Sequence, residues 1–340
     1  MEGYVAAGFE AVGEAFAADP RGGSALTVLR HGEPVVAVHE GWRDAGRTVP
    51  WDENTLVNVY SVGKPVIAAA AMILVERGAI SLDASMSEYW PEFRTPASVR
   101  EVLSHTAGLP SFPVPRPASA WADWDLLCAD LAAAVPAWEP GTVAAEHALT
   151  YGHLLGELIR RVDGRTPSAF LAEEMGLDFG FALPDEDIAR CAELEYDAPD
   201  WPARMLGEPD SVHARAVSNP PGARDLTVVN SDLWRKAAVP AVNLHATATA
   251  IARFYARMLD GSLPSLAVPV YTGIDLFLET EVTWGLGVQF EADGTWGHGG
   301  LGGNAGWADP ASGLAIAYLT RRLGDFAAVD RIESALKSLN

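Results

Sequence analysis

Lysine is almost missing from this chain. Among its 340 residues only Lys64, Lys236 and Lys337 are lysines, and arginine supplies the rest of the 24 basic side chains. The 45 acidic residues outweigh them, to a formal net charge of −21. That balance excludes a nucleic-acid partner and an anionic membrane surface, both of which need clustered cations. It is read instead as a device for solubility. Cysteine is nearly as scarce: Cys128 and Cys191 form neither a metal pattern nor a disulfide framework and are expected to be reduced core thiols. No pair of histidines has zinc-ligand context, and no phosphate-binding glycine loop of the G-x-x-x-x-G-K-[ST] type occurs, so neither metal nor cofactor is expected. The longest apolar run, Pro65 to Val75, is too short to cross a bilayer. The start of the chain has no basic segment followed by an apolar one. The expectation is a cytoplasmic protein without membrane insertion, its oligomeric state left open.

What is present suffices for a large core: 49% of the residues are hydrophobic, in one large domain or two. Residues 4–17 have helical spacing of apolar side chains. Ala25 to Leu29 and Val35 to His39 read as strands joined by the turn His31-Gly32-Glu33. From about residue 80 to 235 the pattern turns to helices and proline-rich loops, with helices at Ser98–Ser104, Asp123–Val135 and Leu149–Arg161. A helix follows at Ala246–Leu259. Strand-like runs then return at Trp284–Phe290, Gly303–Ala308 and Leu314–Thr320, before a last helix at Phe326–Leu339. Strands at both ends with helices between imply an α/β domain formed by 1–80 and 240–340, with a mainly helical domain, 81–239, inserted.

Ser61-Val62-Gly63-Lys64 is the segment with the clearest chemistry. It lies where a β-branched run, Asn54 to Tyr60, gives way to an apolar helix, Pro65 to Arg77. Three residues on a helix is about one turn, so the amine stands over the hydroxyl on the same face. A serine needs a base to become a nucleophile, and lysine, unlike arginine, loses its proton when buried. The helix start also directs backbone N–H groups at a developing oxyanion. A second copy, Ser334-Ala335-Leu336-Lys337, sits in a polar C-terminal helix with no strand before it and is read as decoration.

Two further segments offer polar groups. Pro140-Gly141 opens a loop that carries Glu146 and His147 into a helix near Leu149. Both are candidate proton carriers, and both also read as an exposed acid and a partnered histidine near a helix start. Trp296 to Asn304 contains His298, Gly299 and Gly300 beside a strand-like run, read as an edge strand offering an N–H to an oxyanion or as a tight turn. His105 reads as a structural helix end and His153 as packing. His245 is a cap or a cleft-rim residue, and Trp124 either lines an acyl pocket or packs in the core.

Together these segments resemble the class C β-lactamase-like serine hydrolases. The resemblance is carried by Ser61-Val62-Gly63-Lys64, Leu74 to Gly78 and Val102 to Pro110. It continues through Trp138-Glu139-Pro140-Gly141-Thr142, Thr150-Tyr151-Gly152, Arg160 to Arg165, Trp284 to Gly287 and Gly306 to Pro310, in the right order over nearly the whole chain. That superfamily includes DD-peptidases, D-aminopeptidases, family VIII carboxylesterases and some transacylases; the chain looks most like the actinobacterial esterase branch. The resemblance implies an α/β (α+β) fold like that of β-lactamases and penicillin-binding proteins. In it a central antiparallel sheet is flanked by helices, and the site lies in the cleft beside a helical domain. It also implies Ser61 as the acylated nucleophile, Lys64 as its activating partner, and the N–H groups of Ser61 and Leu301 as the oxyanion hole. His298, Gly299 and Gly300 would stand in place of the family's Lys-Thr-Gly strand. With His147, Trp124 and His245 they make up the expected substrate-binding set.

One departure matters. Where the family carries a catalytic tyrosine, directly before His147-Ala148, this chain has Glu146. Tyr151 belongs to the following helix and is not an obvious substitute. An ionised glutamate about 4 Å from Lys64 attracts it by about 4 kcal/mol at an effective dielectric near 20, which caps the upward push on the lysine at roughly 3 pKa units. Lys64 is then expected to stay protonated, leaving Glu146 as the base and Lys64 to orient Ser61. The expected function is hydrolysis of carboxylic esters of a small molecule through an acyl-Ser61. Three alternatives stand beside it: a transacylase of natural-product biosynthesis using the same acyl-enzyme, non-hydrolytic acid/base chemistry at Glu146, and a binding protein on a degenerate enzyme fold.

Overall fold

The structure, a computed structural model, describes residues 1–20 and 22–339. Nine strands form one antiparallel sheet: β1 (Glu2–Val5), β2 (Gly23–Arg30), β3 (Glu33–Gly41), β4 (Tyr271–Asp275), β5 (Thr280–Trp284), β6 (Gln289–Phe290), β7 (Trp296–Gly300), β8 (Asn304–Asp309) and β9 (Leu314–Thr320). Their spatial order is β1-β3-β2-β9-β8-β7-β6-β5-β4. Sequence-distant ends of the chain meet where β9 pairs with β2, Leu314 opposite Arg30 and Thr320 opposite Ser24.

The period of two along β9 decides how the layers form. Leu314, Ile316 and Tyr318 face one side, where helices α1 (Glu10–Ala17) and α5 (Ala327–Lys337) bring Val12, Phe16, Ile332 and Leu336. Ala315, Ala317 and Leu319 face the other, against α4 (Ala248–Leu259) and the main core. The small alanines let α4 lie close to the strands. Helix α2 (Lys64–Glu76) is buried on all sides from Lys64 to Leu74, which its unbroken apolar sequence requires. It packs against α3 (Tyr151–Asp163).

The sheet and its flanking helices bear out the expected architecture. The segment 81–239 adds helices and, in strand form, only Phe179–Gly180 and Glu195–Tyr196. Three expectations are corrected. Residues 4–17 are not one helix: Glu2–Val5 pairs with β3, and the helix begins at Glu10. A four-residue edge strand is too short to display alternation, and cross-strand pairing decides it. Trp284–Phe290 is not one strand either. A turn closed by the Gly285 N–H on the Val288 carbonyl (2.7 Å), with Gly287 at φ +96°, separates β5 from β6. Finally, β7 is an interior strand, although β6 reaches only as far as Gly297, so His298 to Gly300 pair on one side alone.

Candidate active site

Ser61 lies in a 3-10 turn, Tyr60–Gly63, and the α-helix starts one residue before expectation, at Lys64. Tyr60 enters the turn with φ +51°, a left-handed conformation costly for a side chain of this size. The strain is stored immediately before the hydroxyl it presents. Gly152 on α3 lets the Pro240-Ala241 segment approach, since a Cβ there would sit 2.2 Å from the Ala241 nitrogen.

The result is a saturated ammonium. Lys64 Nζ donates to Ser61 Oγ (2.6 Å) and to the Ala241 carbonyl (3.2 Å), and its third contact is Glu146 Oε1 at 2.9 Å. Three acceptors match the three protons of –NH3+. Ser61 Oγ, accepting from Lys64, turns its own proton toward Glu146 Oε1 at 3.4 Å, a loose contact of the kind that tightens with substrate.

Glu146 comes from far away in sequence, and a second carboxylate holds it there. Asp275, at the end of β4, accepts the N–H groups of Glu146 (3.2 Å), Phe277 (2.8 Å) and Leu278 (3.0 Å) on one oxygen and the Trp284 indole N–H (2.8 Å) on the other. The loop is clamped from the other side by the His105 carbonyl, which accepts the Ala145 N–H at 3.1 Å. Asp275 is a positioning residue that the sequence did not disclose. Its only local sign is a lone acid in an otherwise apolar run.

Burial and charge compete at the pair. Burial pulls Lys64 below the usual lysine range, against the opposing push of Glu146. The upward net shift expected from the Lys64–Glu146 attraction is therefore corrected: desolvation of a fully enclosed amine outweighs it. Burial pushes Glu146 up, but the charge of Lys64 and the hydrogen bonds from Lys64 and Ser61 outweigh it and hold the carboxyl below its usual value. The donor pattern and the carboxyl's direction agree on an ion pair, Lys64 protonated and Glu146 ionised.

Ser61 and Glu146 open into a cavity of about 350 Å³, with His298, Gly299, Gly300 and Leu301 along one wall. His298 Nδ1 faces the Gly299 carbonyl at 2.7 Å and so carries the proton. Nε2 is then a bare lone pair, without a hydrogen-bond partner, 4.0 Å from Glu146 Oε1. Gly300 is needed for close approach: a Cβ would stand 2.3 Å from the Val59 carbonyl oxygen, where β7 meets the Ser61 turn. Gly300→Ala must push the strand away from Ser61, and the rate of Ser61 acylation is expected to fall about 10²-fold with the fold retained, since misplacement by about 1 Å has that order of effect. Stopped-flow acylation beside a thermal melt checks this; an unchanged rate would show that β7 is not part of the site.

Three expected substrate-binding residues lie elsewhere. His147 is fully buried, its Nδ1 on the Ala145 carbonyl (2.9 Å) and its Nε2 accepting the Leu109 N–H (3.3 Å), with burial pushing it down to about 4. His245 is consumed by the Asn243 carbonyl at 2.9 Å and pairs with Asn58 in a small ribbon. Trp124 stacks on His153 and donates to Glu157 Oε2 (2.9 Å), two residues of α3, and does not line the cavity. In each case a neighbouring backbone or side-chain partner satisfies the polar group and turns it inward. Tyr151 donates to the Leu103 carbonyl at 3.1 Å, and among the described residues no tyrosine hydroxyl bonds Ser61 or Lys64. The other lysines sit in exposed ion pairs, Lys236 with Asp185 (2.7 Å) and Lys337 with Asp293 (2.8 Å), so the second Ser-x-x-Lys is surface. Cys128 and Cys191 are free and buried. A larger groove of about 590 Å³ between β7 and α5 contains none of Ser61, Lys64 or Glu146. No group of metal-ligating side chains and no helix long and apolar enough to cross a membrane occurs among the described residues.

Comparison with known proteins matches residues 10–339 to the family described as Beta-lactamase. Esterase/beta-lactamase LipL of Mycobacterium tuberculosis is 32% identical over 343 residues, covering 89% of this chain and 77% of its own. Among solved structures, a penicillin-binding-protein homologue from Caulobacter crescentus superposes with a TM-score of 0.89 at 31% identity, covering 100% of this chain and 99% of its own. A family VIII carboxylesterase superposes at 0.88 and 29% identity, covering 99% of each chain.

Proposed function

We propose that this chain, which belongs to the Beta-lactamase family, hydrolyses carboxylic esters of small molecules through an acyl-Ser61, with Glu146 as the base. The relatives named above include an esterase/beta-lactamase and a carboxylesterase, which favours esters as the substrate class. The observation that carries the reading is the closed triangle of Ser61 Oγ, Lys64 Nζ and Glu146 Oε1, with sides of 2.6, 2.9 and 3.4 Å, at the edge of a cavity.

In this reading the Ser61 proton passes to Glu146 as Oγ bonds to the ester carbon. The carbonyl electron pair moves onto oxygen, facing the N–H groups of Ser61 and Leu301. Collapse breaks the bond to the alcohol, which leaves with the proton from Glu146. Glu146 then takes a proton from water, whose oxygen attacks the acyl carbon, and Ser61 recovers its proton as the acid departs. Lys64 stays charged throughout and offsets the charge that builds on Oγ.

Intact-mass measurement with activated esters and a fluorophosphonate tests the nucleophile: an adduct on the wild type and none on Ser61→Ala supports it. The pH profile tests the base. A carboxyl held below its usual 4.5 is ionised at every higher pH, and the activity it supports is lost as pH falls through that lowered value. The acid limb of kcat/KM is therefore expected below pH 4.5, and the alkaline limb, set by a depressed Lys64, below its usual 10.5. An acid limb above pH 5 would assign the base to another group.

A further inference from the structure

We propose that Arg224 and Tyr60 form an anion subsite in the Ser61 cavity, and that the substrate is an ester bearing a carboxylate. The inference rests on the ester reading above and specifies its substrate.

The cavity wall holds one carboxylate, Glu146, and it is neutralised by Lys64. Arg224 lies in the same wall and also borders an outer groove of about 610 Å³. It is half-buried and donates to the Met205 carbonyl, while Tyr196 Oη holds its backbone carbonyl at 2.6 Å. Among the described residues no carboxylate pairs with it; the next residue, Asp225, spends its Oδ1 on the Thr227 N–H and hydroxyl. Burial depresses Arg224, whereas Arg77, Arg100, Arg116, Arg160, Arg161, Arg165 and Arg190 are each pushed up by a carboxylate partner. A guanidinium stays charged in either setting, so a carboxylate that enters the cavity gains an ion pair with it.

Tyr60 supplies an independent observation. It is 1% exposed and lines the cavity, yet its hydroxyl has no hydrogen-bond partner. Burial, more than any neighbouring charge, pushes its phenol up, and Arg224 lines the same cavity. A buried hydroxyl left unpaired is uncommon and marks a place for an absent acceptor. One carboxylate taking an N–H of Arg224 and the O–H of Tyr60 satisfies both, with a charge-assisted bond on each oxygen. A net cationic cavity inside a chain of charge −21 is a selective feature for such a ligand.

The test compares mono-4-nitrophenyl suberate and 4-acetoxybenzoate, which carry the carboxylate on the acyl and alcohol halves, with their neutral methylamides. We expect wild type to prefer at least one charged ester over its neutral counterpart by about tenfold or more in kcat/KM. That ratio should collapse at least tenfold in Arg224→Gln and return in part in Arg224→Lys. Tyr60→Phe removes only a hydroxyl and should lower the ratio about threefold, which serves if Arg224→Gln loses stability with its Met205 contact. No preference in wild type, or a preference that survives Arg224→Gln, would overturn the subsite. If neither charged nor neutral esters turn over, the ester reading fails. Suberate binding to Ser61→Ala by calorimetry then decides the subsite alone: affinity that drops tenfold with Arg224→Gln supports it, and absent or unchanged binding refutes it.

Discussion

Ser61→Ala is expected to abolish labelling by a fluorophosphonate and to lower ester turnover by about 10³-fold or more, with the melting temperature kept within a few degrees. The magnitude follows from removing the atom that carries the acyl group in the proposed mechanism, since residues of one catalytic unit fail together rather than in part. The stability expectation follows from position. Ser61 is half-exposed at the cavity edge, and Lys64 keeps two other acceptors, the Ala241 carbonyl and Glu146. An alanine therefore leaves one proton of the ammonium facing water in the cavity, not an isolated charge. Label that persists on Ser61→Ala would locate the nucleophile elsewhere and remove the acyl-enzyme from the mechanism.

Glu146→Gln separates the base from the ion pair. The amide keeps the size and a carbonyl acceptor for Lys64, but it cannot take the serine proton. Acylation of Ser61 is expected to slow by about 10²- to 10⁴-fold, the usual span for a positioned base. Unchanged acylation would sink the assignment of Glu146 as base. The same variant removes a negative charge from a buried lysine. Deleting one partner of a buried pair costs about 3–5 kcal/mol, and the retained carbonyl should keep the loss at or below the lower end. Its pH dependence carries a sign as well. The wild-type carboxyl is held below its usual 4.5, so its contribution to stability is present above 4.5 and lost as pH falls through the lowered value. Urea melts at pH 7 and pH 3 should therefore separate wild type from Glu146→Gln more widely at the higher pH than at the lower.

Much of the fold was legible because it is written in apolar runs. Strand-like runs marked β2, β3 and β9, and the unbroken apolar helix after Ser61 could only be a buried one. Segments of two to five residues were not legible: β1, β4 and β6 have too few positions to show a period and are strands because a neighbour pairs with them. The histidines and tryptophan misassigned to the cavity failed for a related reason. Residue type says that a ring can bind substrate, but the nearest backbone partner decides where it points, and His147, His245 and Trp124 each found one inside the protein.

At the site itself the sequence alone determined the pair Ser61 and Lys64, because their spacing across one helical turn is a property of the local backbone. It also marked Glu146 as a replacement and Gly300 as part of a strand with room for close approach. Tertiary structure decided the rest. The separation of 85 positions from Ser61 to Glu146 is closed by Asp275 and His105, which clamp the loop from two sides. The balance at Lys64 depends on enclosure, a quantity that exists only once α2, α3 and the Ala241 segment have packed around the amine. Arg224 and Tyr60 line one cavity for the same reason: long-range packing, not local propensity, brings a cation held by a backbone carbonyl and no carboxylate of the described residues to the same cavity as a hydroxyl without a hydrogen-bond partner.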